Sequence, residues 1–206
     1  MAADEALLDR VLRSGGAFLR LYRWDPPTLS IGRNQHDVFE NTPVVRRPTG
    51  GQAVWHEHEV TYAVAAPIAR YGSLRKAYCE IHTRLARALH SLGVDAVLAP
   101  AHPPIRPSAH PASCFASSVG GEIIVGGKKL VGSAQVRKRD AFLQHGSILL
   151  DGTQPSSQNG ETTLRAVLKR PVSFDEVAAA IIGTWSDLRP SGRQAVRPSD
   201  IASLAP

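Results

Sequence analysis

Apolar positions recur along this chain in two alternating rhythms, and the rhythms divide it into elements. Residues 2–13 read as a short amphipathic helix with Leu7, Val11 and Leu12 on one side, closed by Gly15-Gly16. Short β-like runs follow at Phe18 to Arg23, Thr28 to Ile31 and Val44 to Arg47, with Asp25-Pro26-Pro27 separating the first two. After Gly50-Gly51, residues 53–65 read as one strand in which Val60, Tyr62 and Val64 alternate. The clearest helix runs from Leu74 to Leu92: Leu74, Tyr78, Ile81, Leu85, Leu89 and Leu92 recur every three or four residues, Ser73 is the N-cap, and Gly93 closes it. The Pro/His/Ser-rich residues 100–113 read as loop. Residues 122–125 and 129–136 form a hairpin about Gly126-Gly127, and Ser147 to Leu150 is a further strand. Ser173 and Glu176 make a capping box ahead of a helix carrying Val177, Ile181 and Trp185.

Strands that neighbour one another with few helices between them predict an α+β fold. Its sheet should be mixed and largely antiparallel, flanked by helices, because the strict alternation of a doubly wound fold is missing. At 206 residues and 43% hydrophobic content the chain reads as one core-forming domain over residues 1–188. The Pro-, Ser- and Arg-rich residues 189–206 read as an irregular tail. No apolar run approaches the ~18 residues of a membrane span. The start MAADEALLDR lacks the pattern of a secretory signal. Two cysteines are too few for a disulfide framework. These features predict a reduced, cytoplasmic protein with no membrane partner. The net charge of +6 predicts attraction to acidic partners, whether protein, nucleic acid or phosphate.

Motifs narrow the chemistry. A phosphate loop would require Gly where Glu122 stands, and Ser or Thr where Lys129 stands, so that reading fails. On a strand, His56 and His58 of Trp55-His56-Glu57-His58-Glu59 would share a face, but no third ligand is spaced to complete a metal site, and none is expected. The more ordinary arrangement puts one imidazole in a pocket and the other at the surface. Arg46-Arg47-Pro48-Thr49-Gly50-Gly51-Gln52 puts two guanidinium groups beside a backbone that a ligand can approach closely. It equally fits a solvated basic hairpin. Cys79 falls within the long helix and reads as a packing residue. Cys114 follows the Pro-rich loop and precedes a hairpin carrying Lys128 and Lys129, where a nearby ammonium would favour thiolate. An inert loop thiol is the alternative. Gly127 to Gln135 joins a lysine to a run of small residues whose N–H groups could bind a carbonyl or phosphate, and His145-Gly146-Ser147 leads into the next strand.

In this order, RRPTGGQAVWH (46–56), GGKKLVGSAQ (126–135) and LQHGSILLD (143–151) resemble the lipoate/biotin protein ligase superfamily, in its lipoate–octanoate branch. The resemblance covers about three-quarters of the chain. It implies the mixed sheet of the biotin/lipoate protein ligase catalytic domain. SCFASSVGGEIIVGGKKLVGSAQ, and Gln52 where the ligases carry a third Gly, look more like the cysteine-dependent octanoyltransferases than the ATP-dependent ligases.

By that resemblance Cys114 is the nucleophile and Lys129 contacts the acyl carbonyl. Arg46, Arg47, Thr49, Gly50, Gly51 and His56 would line the acyl pocket, and Gly132, Ser133, Ala134, His145 and Gly146 would complete it. The implied reaction moves octanoyl from acyl carrier protein to a lysine of a lipoyl domain, or of its glycine-cleavage counterpart, the H-type protein, through an acyl-cysteine. It needs no cofactor. A lipoate–protein ligase using ATP and Mg is the first rival, and a non-catalytic module binding either carrier is the second. Basic runs without interleaved aromatics speak against nucleic acid. The family's strand ahead of the first helix is missing and the chain is short after Asp151. A monomer or a weak homodimer through an exposed sheet edge is therefore expected.

Overall fold

The computed structural model describes residues 1–36, 44–100, 120–154 and 160–185. Helix α1 (Ala2–Ser14) opens the chain and ends where Gly15, at φ 66°, donates its N–H to the carbonyl of Val11. Strands β1 (Phe18–Tyr22), β2 (Thr28–Ile31), β3 (Val44–Arg46), β4 (Val54–His56) and β5 (Glu59–Pro67) follow. A 3₁₀ turn (Ile68–Arg70) leads to α2 (Leu74–Ser91), then β6 (Val97–Leu98), β7 (Ile123–Val125), β8 (Lys128–Lys138) and β9 (Ala141–Leu149). Helices α3 (Leu164–Leu168) and α4 (Phe174–Thr184) complete the described part.

The strands make a six-stranded sheet in the order β1-β5-β9-β8-β7-β6 and a three-stranded sheet in the order β3-β2-β4. Every named pairing is antiparallel except β2 with β3, so the mixed, largely antiparallel α+β prediction holds. The large sheet is apolar on both faces because helices cover both. One face presents Val60, Tyr62, Val64, Phe142 and Ile148 to Ile81, Leu85 and Leu89 of α2 and to Val177 and Ile181 of α4. The other presents Ala63, Ala65, Ala141 and Leu143 to Leu8 and Val11 of α1. Small residues on this second face let α1 pack closely. None of the described helices is long and apolar enough to cross a membrane.

Helix α2 starts one residue after its predicted cap, with the Ser73 side chain accepting from the N–H of Lys76. The capping box of α4 is also present: Ser73's counterpart Ser173 accepts from the N–H of Glu176, and the Glu176 carboxylate is held low in pKa by Arg170, with a further bond from the Ser173 N–H.

Three expectations need correction. The single strand predicted over 53–65 is two strands in different sheets, parted at Glu57-His58, since β4 pairs with β2 while β5 lies between β1 and β9. His56 is consequently buried and His58 is exposed in the turn, the ordinary arrangement of one imidazole in a pocket and the other at the surface. Ser147 to Leu150 covers only the end of β9, which pairs with β5 over its whole length and with β8 from Ala141 to Ile148, and Leu150 lies just past it. Cys79 lies on the exposed side of α2 and is not a packing residue. The loop predicted over 100–113, Cys114 and the tail 189–206 lie, apart from Pro100, outside the described residues.

Candidate active site

A narrow cavity opens where the large sheet meets the small one. Its floor is the paired backbone of β8 and β9, Gly132 to Ala134 against His145 to Ser147. Tyr22, Trp24, Arg47, Val54, His56 and Thr61 form its walls. About 330 Å³ of space lies between these atoms, part of it open to solvent, and a water-sized sphere can centre in only about 30 Å³ of it. Small residues on the floor are therefore what gives the slot its depth.

Gly146 is required by close approach. A Cβ there would fall 2.3 Å from the Gly132 carbonyl oxygen and 2.5 Å from Ser133 Oγ. The gap it leaves lets Tyr62 of β5 and Ser133 of β8, which flank it in register, meet across β9. Gly32 plays the same part for the Pro48-Thr49-Gly50-Gly51 turn, since its Cβ would sit 2.0 Å from the Gly51 carbonyl oxygen.

Three buried hydrogen-bond chains hold the site. In the first, Arg47 Nη1 donates to Ser30 Oγ at 2.6 Å, Ser30 meets His56 Nε2, and His56 Nδ1 lies 2.7 Å from Glu59 Oε1. A carboxylate can only accept, so Nδ1 carries the hydrogen of the bond to Glu59. Thr61 also donates to Glu59 and receives the indole N–H of Trp24 at 2.9 Å, while the Trp24 ring stacks on His56 with centroids 4.3 Å apart. The ring is thus fixed in plane and tilt.

In the second chain, Asp4 of α1 reaches the large sheet with no solvent exposure. It accepts from Arg20 at 2.7 Å, from Tyr22 at 2.9 Å and from His145 Nδ1 at 3.0 Å, and His145 Nε2 accepts from Thr49 at 2.7 Å. Burial alone would raise the Asp4 pKa, but the bonds and charges of His145 and Arg20 outweigh it and hold the carboxyl below its usual range. Burial likewise pushes the His145 pKa down, against the pull of Asp4. The third chain lies on the α2 side. Gln144 donates to Tyr62 Oη at 3.0 Å, Tyr62 donates to Ser133 Oγ at 2.6 Å, Ser133 donates to His82 Nε2 at 2.8 Å, and His82 Nδ1 donates to the Gly121 carbonyl at 2.6 Å. That carbonyl dictates the direction of every bond behind it. Burial lowers the His82 pKa to about 4, with a smaller contribution from the charge of Lys129.

Of the residues singled out in the sequence, Arg47, His56, Gly132, Ser133, Ala134, His145 and Gly146 line the cavity, and Thr49 stands behind His145. Gly50 and Gly51 shape the adjoining turn. Arg46 points elsewhere, donating to the carbonyls of Gly32, Arg33 and Gln35. Arg47 donates to the carbonyls of Ser30 and Gln52 as well as to Ser30 Oγ, so both arginines staple neighbouring backbone. Lys129 is buried outside the cavity wall, 2.7 Å from Glu122. Its main chain is held by Gly160 and Thr162. Among the described residues no group of three His, Cys, Asp or Glu is arranged to hold a metal ion.

Sequence reasoning overlooked Asp4, Trp24, Ser30, Glu59, His82, Glu122 and Gln144. For His82 a signal existed, since it falls four residues after Tyr78 on the apolar face of α2, where an imidazole must find partners. For Asp4 the partner is 141 residues away, and nothing local marks it.

This chain is 46% identical over 169 residues to the octanoyltransferase LipM of Kyrpidia tusciae, covering 73% of this chain and 61% of that protein. It is 40% identical over 185 residues to the octanoyltransferase LipM of Moorella thermoacetica, covering 83% and 65%. The chain thus spans about three-fifths of the length of these relatives. A crystal structure of lipoate-protein ligase A bound with ATP superposes with a TM-score of 0.66 at 22% identity, over 88% of this chain and 78% of that one, which shows a common fold. The description "Lipoyl protein ligase A/B catalytic domain" matches residues 1–186, and the chain belongs to that family.

Proposed function

We propose that this protein is an octanoyltransferase of protein lipoylation, acting in the cytoplasm. The observation that carries this reading is identity of 40–46% with relatives named octanoyltransferase, across 73–83% of the chain. The cavity is compatible with it: an unbranched acyl chain can lie on a floor of Gly132, Ala134 and Gly146 where larger side chains would exclude it.

In this mechanism the Cys114 thiolate attacks the thioester carbonyl of octanoyl-acyl carrier protein. The tetrahedral intermediate collapses by expelling the carrier's pantetheine thiolate, which takes up a proton, and leaves octanoyl on Cys114. The neutral ε-amine of an acceptor lysine, on a lipoyl domain or H-type protein, attacks that thioester. Its N–H proton leaves as the Cys114 thiolate departs, and an amide remains. Cysteine suits both steps because a thiolate is nucleophile and leaving group alike. Thioester exchange is nearly neutral and amide formation is downhill, so no nucleotide is consumed. From behind the cavity wall, where it is ion-paired with Glu122, Lys129 adds positive potential that favours the thiolate and the developing oxyanion. His145 and His56, each fixed by a carboxylate and a hydroxyl, keep the walls rigid around the acyl group.

The test is transfer of octanoyl from its carrier to a lipoyl domain without ATP, comparing the natural chain with Cys114→Ala and following the protein by mass spectrometry. An octanoyl adduct on Cys114, with transfer abolished by Cys114→Ala, is expected. Transfer that survives the substitution overturns the role of Cys114, and strict dependence on ATP and Mg overturns the transferase reading in favour of a ligase.

A further inference from the structure

Basic residues converge at one end of the molecule, away from the cavity but on the same side of the large sheet. Arg10 and Arg13 of the last turns of α1, Lys138 at the end of β8, and Arg137 and Arg139 at the β8–β9 turn are all exposed. Asp9 and Asp140 accompany them, and Asp9 is already paired with Lys138. Lys138, Arg13 and Arg139 all act on the Asp9 carboxyl, which places their charges on one patch. The patch is built rather than floppy: Arg137 Nε donates to the Arg139 carbonyl at 2.8 Å, and Arg10 lies 4.5 Å over the ring of Phe18. Arg139 occupies a left-handed position, φ 54°, where glycine or asparagine would be the cheaper choice.

The cavity lies within reach of this patch. Gly132, Ala134, Val136 and Lys138 alternate onto the face of β8 that α1 covers, opposite Ser147, His145, Leu143 and Ala141 of β9. From Lys138 to Gly132 is therefore about 20 Å along the strand, at about 3.4 Å per residue. Along α1 the path from Arg13 back to the cavity at Met1 is about 18 Å, at 1.5 Å per residue. Both paths are comparable with an extended pantetheine arm, the flexible group through which an acyl carrier protein presents its thioester.

We propose that this patch at the α1 C-terminus and the β8–β9 turn docks the acidic acyl carrier protein, at a distance from which its arm delivers the acyl group to the cavity. The inference rests on the transferase reading and adds to it the surface that selects the donor. Charge complementarity of this kind steers encounter and orients the partner, and it weakens with salt.

The experiment uses the full chain with the double substitution Arg13→Glu and Arg139→Gly, neither residue touching the cavity. Octanoyl-acyl carrier protein and octanoyl-pantetheine serve as alternative donors to a lipoyl domain. Arg139→Gly removes a charge while relieving a left-handed backbone, so a folding defect is not confounded with a docking defect; thermal melting checks this. At low ionic strength kcat/KM for the carrier-borne donor is expected to fall by about tenfold or more. The deficit should narrow at 0.5 M salt, roughly a Debye length of 4 Å. Octanoyl-pantetheine and the KM for the lipoyl domain should be unchanged. An equal loss with both donors, no loss with either, or a raised KM for the lipoyl domain alone overturns the docking assignment while leaving the transferase reading standing. A natural chain that takes octanoyl from neither donor overturns the transferase reading and the docking surface with it.

Discussion

His82 makes the stability of this protein depend on pH in a defined window. Its pKa is about 4 in the folded chain, against about 6.5 for a free imidazole, because it is buried between Ser133 and the Gly121 carbonyl. Above pH 6.5 the ring is neutral in both states and its bonds stabilise the fold fully. As pH falls from 6.5 to 4 the unfolded chain takes up the proton first, so stability is lost across that interval and the loss is complete below pH 4. At 1.36 kcal/mol per pH unit the whole loss is about 3 kcal/mol, of which about 2 kcal/mol has gone by pH 5. His82→Phe keeps an aromatic ring in the core but removes the titration. It also leaves the Ser133 hydroxyl and the Gly121 carbonyl without this partner, which costs about 2–4 kcal/mol at pH 7.5. The gap between the natural chain and His82→Phe should therefore narrow by about 2 kcal/mol between pH 7.5 and pH 5. Urea unfolding followed by tryptophan fluorescence at constant ionic strength measures it. Parallel pH dependences in the two proteins would refute the argument, as would an imidazole resonance of His82 titrating near 6.5.

Asp4→Ala deprives Arg20, Tyr22 and His145 of one buried acceptor, and should lower stability by about 3 kcal/mol in thermal melts, with Asp4→Asn intermediate. Lys129→Met removes the ammonium beside the buried Glu122 carboxylate and should cost about 3–5 kcal/mol; adding Glu122→Leu should recover much of that, as a double-mutant cycle in urea would reveal. Gly146→Ala forces a methyl against the Gly132 carbonyl and Ser133, and should destabilise by about 1–3 kcal/mol with the same readout. Ala134→Leu fills the cavity floor, so transfer from octanoyl donors should fall about tenfold or more while butyryl transfer is retained, measured as relative kcat/KM.

Much of the secondary structure was legible because its causes are local. Helix α2 follows from a period of three to four and a serine cap, and the β7–β8 turn from two glycines that accept positive φ at 56° and 77°. The division of residues 53–65 was not legible. Ala53-Val54-Trp55-His56 and Glu59 to Ala65 have similar β character, and what parts them is that one segment pairs with β2 and the other with β1 and β9. The site shows the same split. The GGKKLVGSAQ and LQHGSILLD motifs named residues that do meet on the cavity floor, since both lie on adjacent strands in one register. The twin arginines looked equivalent in sequence, yet one turn of extended backbone sends Arg46 to the Gly32–Gln35 carbonyls and Arg47 to the cavity wall.

Element types, the hairpin turn, the helix caps and the motif residues were thus written in short stretches of sequence, where periodicity, branching and backbone freedom act between neighbours. Which face each motif shows the cavity was settled by folding. His145 is held by a carboxylate 141 positions earlier, Thr49 by an imidazole 96 positions later, and Ser133 by a hydroxyl 71 positions earlier. Such partners are chosen by the packing of α1 and α2 on opposite faces of one sheet, because a buried polar group takes whatever complement the fold brings within 3 Å of it.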